Sequence, residues 1–516
     1  MTRVMAVVLG MGLMLSAVGL PARAAGPLRE SGVNGDTEAA LEAIAGRGLM
    51  NSHAFDFLTE LSDDIGARVT GSAQAAKAIE WGVAKMKSFG LQNVHAEPWK
   101  MSRGWTRGMA DAELLEPIHR RLSVDAMGWV GSTSAGGAEA EVIPLNLFDL
   151  DNEVKNNSSH WAGKVLLIVQ KGKPPADFMT VFAKFGDFLE SAARVHAVAV
   201  IGGQGGSKSA GMHLTHTGAL GFDTFYQIPV VSMTNEDQSQ IERYIQAGRT
   251  VRIRINVQNR FSDGPVESAN VVGDIVGTEH PEQIFVVGAH LDSWDLSEGT
   301  TDNGTGSSSV LGAAEAIARS GHKPRRTIRF VLFTGEEEGL LGSLAYVKQH
   351  RDEMANHLGS LVIDSGQGPV ARFNLGGRED LLPKFNEFIP LAKAFGDLHA
   401  DDAVEFGTDT GPFTLEGLPG INMDQDSPDY KYTHHSAADA LEAVKPDVLI
   451  HNAILMALAA YWIADLPERF ADPWPKEKTA RMLVQKHQDG FLKAFKIWPF
   501  GDMGEQSKPE VKAGQM

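Results

Sequence analysis

Residues 284–364 contain four punctuated stretches: Gly288-Ala289-His290-Leu291-Asp292-Ser293, Asp302-Asn303-Gly304-Thr305-Gly306, Thr334-Gly335-Glu336-Glu337-Glu338-Gly339 and Ile363-Asp364. The first, third and fourth end apolar strand-like runs, and helical patterns follow Gly306 and Gly339. Such alternation predicts an α/β fold, a mixed and mostly parallel sheet covered by helices. Ligand crevices in open sheets of this kind lie beyond the carboxyl ends of strands. His290, Glu336, Glu337 and Asp364 all occupy that position, so they are expected to converge although far apart in sequence. A lone histidine after a strand is usually an ordinary core or surface residue, and an acidic triplet is usually a solvated helix start. Several carboxylates gathered together need a compensating cation, and the set as a whole therefore points to a metal site.

Outward from this stretch, residues 269–276 and 282–289 read as successive strands around a turn at Gly277 and His280-Pro281, at the edge of the sheet. Ser262-Asp263-Gly264-Pro265 reads as a linker. Residues 123–260 differ in composition: they carry glycines and short β-branched runs at 164–172, 195–201 and 228–233, and a helix over 236–247. Further upstream, residues 73–89 read as a helix closed by Gly90, and 94–99 as a strand. Arg68 falls in a turn and reads as surface chemistry. Downstream, 476–495 reads as helical.

The chain has 516 residues, 43% of them hydrophobic, enough for two packed cores. The expected division is a catalytic body built from 37–122 and 261–500, with 123–260 inserted. At the N-terminus, Thr2-Arg3, an apolar run to Leu20 and Ala22-Arg23-Ala24 read as a signal peptide over 1–24. The run is too short and too glycine-broken to span a bilayer, which implies export to the periplasm or beyond. No other stretch reads as apolar enough to cross a membrane. There is no cysteine, so a transition metal must be held by imidazole and carboxylate. The formal charge of -18 argues against nucleic acid and anionic membrane surfaces as partners.

At the four motifs the sequence resembles the co-catalytic zinc exopeptidases, the family of bacterial leucyl aminopeptidase and glutamate carboxypeptidase. The likeness is nearest to the carboxypeptidase Q group, through His290-Leu291-Asp292-Ser293-Trp294-Asp295 and Lys323-Pro324-Arg325-Arg326-Thr327. It covers about residues 269–464. The insert is more weakly similar to a protease-associated domain, a β-rich lid. The resemblance implies two zinc ions per chain, with Asp302 bridging them. His290 and Asp364 would complete one set of ligands, Glu337 and His435 the other, and Glu336 would be the general base. His435 is preferred to His434 because Asp439 follows it by the four residues usual in the family. Asp292 would accept the second ring N–H of His290, and Asp409 matches another outer acidic position.

Candidates for contacting substrate are Asp424, Asp426 and His434, the first two as partners for an α-ammonium. Glu338, His213 and His216 read as surface residues. The sequon Asn303-Gly304-Thr305 is discarded, because a glycan there would block the turn presenting Asp302. The activity implied is an exported zinc-dependent exopeptidase acting on dipeptides or short peptides, as aminopeptidase or carboxypeptidase, with a peptide as partner and a homodimer admitted. Two alternatives share the fold: a single-zinc glutaminyl cyclase, and a non-catalytic binding protein of the transferrin-receptor type. Retention of the full ligand set argues against both. A serine hydrolase is disfavoured because no Gly-x-Ser-x-Gly elbow stands beside a strand.

Overall fold

The computed structural model describes residues 35–173, 178–202, 211–501 and 503. The signal segment expected at 1–24 lies outside them. The central element is an eight-stranded sheet in the order Gln92–Met101, Val266–Ile275, Arg326–Phe333, His280–His290, His357–Val362, Gly420–Gln425, Val370–Asn374, His399–Asp401. The four middle strands, from Arg326–Phe333 to Gly420–Gln425, run parallel. Antiparallel neighbours flank them. Strands from the middle of such a sheet are covered on both faces, which is why Phe285, Val286, Val287 and Ala289 are consecutively apolar and buried.

The expectation that residues 269–276 and 282–289 mark the sheet edge is incorrect. Arg326–Phe333 lies between those two strands, and the edges are Gln92–Met101 and His399–Asp401. Residues 268–275 are buried throughout, and their backbone groups find partners on both sides, as an interior strand requires.

Helix Thr305–Ser320 follows the His290 strand and is buried along most of its length. It packs against Pro446–Asp465 and Gly35–Asn51. By length and composition Pro446–Asp465 could cross a membrane, contrary to the sequence reading. Here it is a core helix, with Leu455 to Ala464 buried in the largest apolar cluster.

A second eight-stranded sheet runs Arg120–Leu122, Ala110–Glu116, Arg252–Val257, Ala138–Asn146, Val165–Val169, Ala199–Ile201, Val230–Met233, Val124–Ala126. It has its own apolar core, including Trp161, Phe188 and Ile253. Two differences from the sequence reading follow. This body begins near residue 110 and not 123, because Ala110–Glu116 hydrogen-bonds to Arg252–Val257. It is also not built of strands alone: Leu150–Asn157, Phe178–Arg194 and Asn235–Gln246 accompany its strands, four of which are parallel.

His357, the first residue of its strand, is fully buried. Its Nδ1 donates to Glu353 O at 3.0 Å, which leaves Nε2 to accept from Tyr346 Oη at 2.9 Å. Burial holds the imidazole pKa down at about 4, from 6.5. The unfolded chain therefore takes up a proton below pH 6.5 that the folded chain refuses until about pH 4. The residue costs no stability above pH 6.5 and an increasing amount as pH falls through that window. At pH 5 the penalty is about 2 kcal/mol, from 1.36 kcal/mol per pKa unit. In His357→Gln, the drop in urea-unfolding free energy between pH 7 and pH 5 should shrink by about that amount. An unchanged pH slope would show that His357 is not a proton-refusing core group.

Candidate metal centre

The carboxyl ends of the parallel strands deliver the predicted residues to one place. His290 ends its own strand, Glu336 and Glu337 follow Phe333, and Asp364 follows Val362 by two residues. The registers His290↔Phe333 and Gly288↔Val362 keep these ends level. Asp302 enters from the buried turn Thr300–Gly304, which opens helix Thr305–Ser320. Asn303 anchors that turn: its Nδ2 donates to Ile363 O and Asp364 Oδ1, both at 2.9 Å, and its Oδ1 accepts from Gly306 N at 2.8 Å. Asn303 is itself buried, in keeping with the discarded sequon.

The two oxygens of Asp302 face different partners. His290 Nε2 stands 3.3 Å from Asp302 Oδ1 and 3.1 Å from Asp364 Oδ1. On the other side, His435 Nε2 is 3.2 Å from Asp302 Oδ2 and 2.9 Å from Glu337 Oε2. His434 stacks on His435 with ring centroids 3.7 Å apart, but its Nε2 is 3.8 Å from Asp302 Oδ2 and its side chain is more exposed. His435 is thus the nearer of the two, as its spacing to Asp439 suggests.

Around this core stand further buried acids. Burial and the repulsion of Asp364, Glu337 and Asp409, against the attraction of His290, hold Glu336 well above the ordinary carboxyl range. Burial raises Glu337 to about 7 and Asp364 to about 6, although His435 and His290 respectively pull them down. Asp409 and Asp439 are likewise pushed up to about 7 by burial and like charge. Asp302 goes the other way: its histidine contacts outweigh burial and hold it well below the usual range. Burial opposes charge on His290 and His435, but the surrounding carboxylates win, raising His290 well above 6.5 and His435 to about 10.

The residues fit a cation by another observation. Asp302 Oδ2 and Glu337 Oε1 are buried without a well-aligned hydrogen bond, and such oxygens are costly unless an ion satisfies them. The ligand-atom sets Asp302, His290, Asp364 and Asp302, His434, His435 are each compact enough for one ion. Imidazole nitrogen with carboxylate oxygen suits a borderline divalent metal.

Several expectations are corrected. The Asp292 carboxylate stands 3.7 Å from His290 Nδ1, and the Asp292 backbone carbonyl is nearer, at 3.0 Å. That carboxylate also accepts from Thr70 Oγ1 at 3.2 Å and from the backbone N–H of Glu336 and Glu337. Glu338 is not a surface charge; it is buried, and burial beside Asp292 drives its pKa well up. Asp424 is not a free carboxylate, because Arg372 binds it from the neighbouring strand with Nε at 2.7 Å. Asp426 is exposed, and neither it nor Asp424 lines the narrow cleft beside Asp302. His213 is exposed as expected, but His216 is buried.

Two residues acquire structural roles that local patterns did not reveal. Trp294 Nε1 donates to Glu337 Oε2 at 2.6 Å and lines the cleft. Arg68 is fully buried and donates to four carbonyls: Leu291 O at 2.7 Å, Gly66 O at 2.9 Å, and Glu298 O and Gly299 O at 2.6 Å. It pins the loop between His290 and Asp302. Burial lowers its pKa to about 10, still charged at neutrality, and the nearby Asp439, Asp292, Asp302 and Glu337 support that charge.

Residues 270–460 match the profile of peptidase family M28. The chain is 30% identical to carboxypeptidase Q of Pongo abelii over 438 residues, 84% of this chain and 90% of the relative. Its fold is similar to the crystal structure of a peptidase M28 precursor from Shewanella amazonensis, with TM-score 0.75 and 28% identity over 86% of this chain and 99% of that one. A zinc aminopeptidase from Bacillus subtilis shares the fold at TM-score 0.62 and 21% identity, covering 82% and 97% of the two chains.

The Arg68 anchor gives a direct expectation. Arg68→Met removes the donors of four carbonyls, two of them in fully buried bonds worth about 1–3 kcal/mol each when left unmade, so unfolding free energy in urea should fall by at least about 2 kcal/mol. A change within about 0.5 kcal/mol, the range of ordinary surface substitutions, would mean the loop does not depend on the guanidinium.

Proposed function

The chain belongs to peptidase family M28, and from that premise we propose that it is a zinc-dependent exopeptidase holding two zinc ions. The observation that carries the number two is Asp302, whose oxygens face separate donor pairs, His290 with Asp364 and His435 with Glu337. The Bacillus subtilis enzyme described as a zinc aminopeptidase supports the choice of metal. Two zinc ions held by these five residues would supply a Lewis acid for the scissile carbonyl and lower the pKa of water toward neutrality.

The chain's own part is positioning and proton transfer. Glu336 stands beside both donor pairs, within the field of His290, Asp364 and Glu337. It takes a proton from the attacking water and returns it to the leaving amine nitrogen, so the peptide bond is exchanged for a carboxylate and an amine. Trp294 and the backbone carbonyl of Asp292 orient Glu337 and His290, fixing which atoms face the cleft. The cleft is lined by Trp294, Leu296, Ser297, Gly299 and Ser436 beside the donors. We take dipeptides or short peptides as its substrates, and the name of the carboxypeptidase Q relatives supports cleavage at a chain end. We take the second body to be the protease-associated-like insert, and the leader at 1–24 to direct export.

Three measurements test this reading. Glu336→Gln should keep the wild-type zinc content while kcat falls by about 10²–10⁴-fold, the range for loss of a general base; near-normal turnover would remove it from that role. Asp302→Ala should lose both zinc ions together, whereas loss of a single ion would contradict bridging. A dipeptide panel with N- and C-blocked controls separates aminopeptidase, carboxypeptidase and dipeptidase action. One zinc per wild-type chain with no peptide turnover would favour the cyclase alternative.

A further inference from the structure

One segment of the second body, residues 215–223, reaches the two loops that carry the Glu337 and His435 donors. Thr217 N donates to His435 O at 2.8 Å, and His435 Nδ1 donates to Thr217 O at 3.2 Å. His216 Nδ1 donates to His434 O at 2.8 Å, and His216 forms an antiparallel bridge with Ser436. His435 is thereby clasped on backbone and ring at once. The clasp holds a non-glycine residue at φ 58°, in the left-handed region. Because the Thr217 carbonyl can only accept, it selects the Nδ1–H form, and Nε2 is the ring atom facing Asp302 and Glu337.

The same segment touches the other donor loop. Asp223 N donates to Glu338 O at 3.0 Å. Phe222 lies against Gly339, where an added Cβ would come within 2.4 Å of its ring and where φ is 111°. Phe495 stacks on Phe222 with centroids 4.7 Å apart. Arg107 closes the circuit: it donates to Thr217 Oγ1 at 3.0 Å and pairs with Asp295 at 2.6 Å. Asp295 adjoins Trp294, the indole donor to Glu337.

We infer that residues 215–223 are a positioning element for the Glu337–His435 donor pair, with His216 and Thr217 as positioning residues, so the second body helps to build one metal site and is not only a lid above it. This rests on the two-zinc reading. A lid would affect access and substrate choice. A clasp on a ligand's carbonyl and ring nitrogen affects how well that ligand's free nitrogen is aimed, and loss of such outer partners typically costs about 10–100-fold in metal affinity.

The test is zinc affinity of the full chain, measured by competition with a chromophoric chelator, beside the unfolding temperature of the metal-free protein. In His216→Ala one zinc should bind about 10–100-fold more weakly while the other keeps its wild-type affinity, a site-selective loss that a general drop in the metal-free unfolding temperature, expected when a buried donor is truncated, would not produce. His216→Asn, whose amide N–H can stand in for the Nδ1 donor, should restore the lost affinity. Thr217→Pro, which lacks the backbone donor to His435, should reproduce the loss of one site. Wild-type affinity for both ions in His216→Ala and Thr217→Pro, with a change in KM alone, would overturn the inference. So would equal weakening of both ions, or no rescue by His216→Asn. Fewer than two zinc ions on the unaltered protein would instead defeat the two-zinc reading itself, so the two failures are read in different samples.

Discussion

The site depends on one carboxylate serving two sets of partners in a medium that penalises unpaired charge. Asp302 is 4% exposed, and Asp292, Glu338, Asp409 and Asp439 are buried around it. In water these acids would repel one another weakly; at low effective dielectric the same separations cost several-fold more. The fold has to impose the crowd. It does so by fixing each donor at the end of a strand or the start of a helix whose position is set by an extensive apolar core. The level registers of the His280–His290 strand with its two parallel neighbours place His290, Glu337 and Asp364 within reach of Asp302 without any flexible linker.

Charge compensation is layered. Arg68 supplies a fixed cation but spends its donors on carbonyls, so it acts on the acids through space and on the 291–299 loop through hydrogen bonds. Protons are drawn to the same groups: the surrounding carboxylates raise the pKa of His290 and His435, and burial raises those of Glu336, Glu337 and Asp364. Metal ligands must give up those protons, so metal affinity and protonation are coupled at this site.

The donor residues were legible because their signal is positional: an acid or histidine at the end of a strand in an alternating α/β pattern can be placed without knowing its neighbours. What could not be read depends on pairings distant in sequence. Arg68 looks like any turn arginine until four carbonyls from residues 66–299 close on it. Asp424 looks free until the antiparallel register Arg372↔Asp424 supplies its partner. Glu338 shares its local pattern with Glu336 and Glu337, and only the packing around Thr70 and Asp292 separates an inward carboxyl from a solvated one. Ala110–Glu116 alternates as an edge strand of either sheet would, and its assignment rests on its ladder with Arg252–Val257.

The second body leaves and rejoins the first at a single point, since Met101 and Val266 are register partners at the ends of adjacent antiparallel strands. A body with its own core, attached through one strand pair, is free to rock unless other contacts fix its orientation. Some of those contacts lie away from the site, such as Phe222 on Phe495, but several fall beside the metal centre: Thr217 with His435, Asp223 with Glu338, and Trp129 edge-on to Trp294. Thr217 and Asp223 bond to a donor residue or to one next to it in sequence, and Trp294 is the hydrogen-bond donor to Glu337. A rotation of the second body about its attachment would strain these contacts to the donor loops, so the orientation of the two bodies and the geometry of the site are coupled.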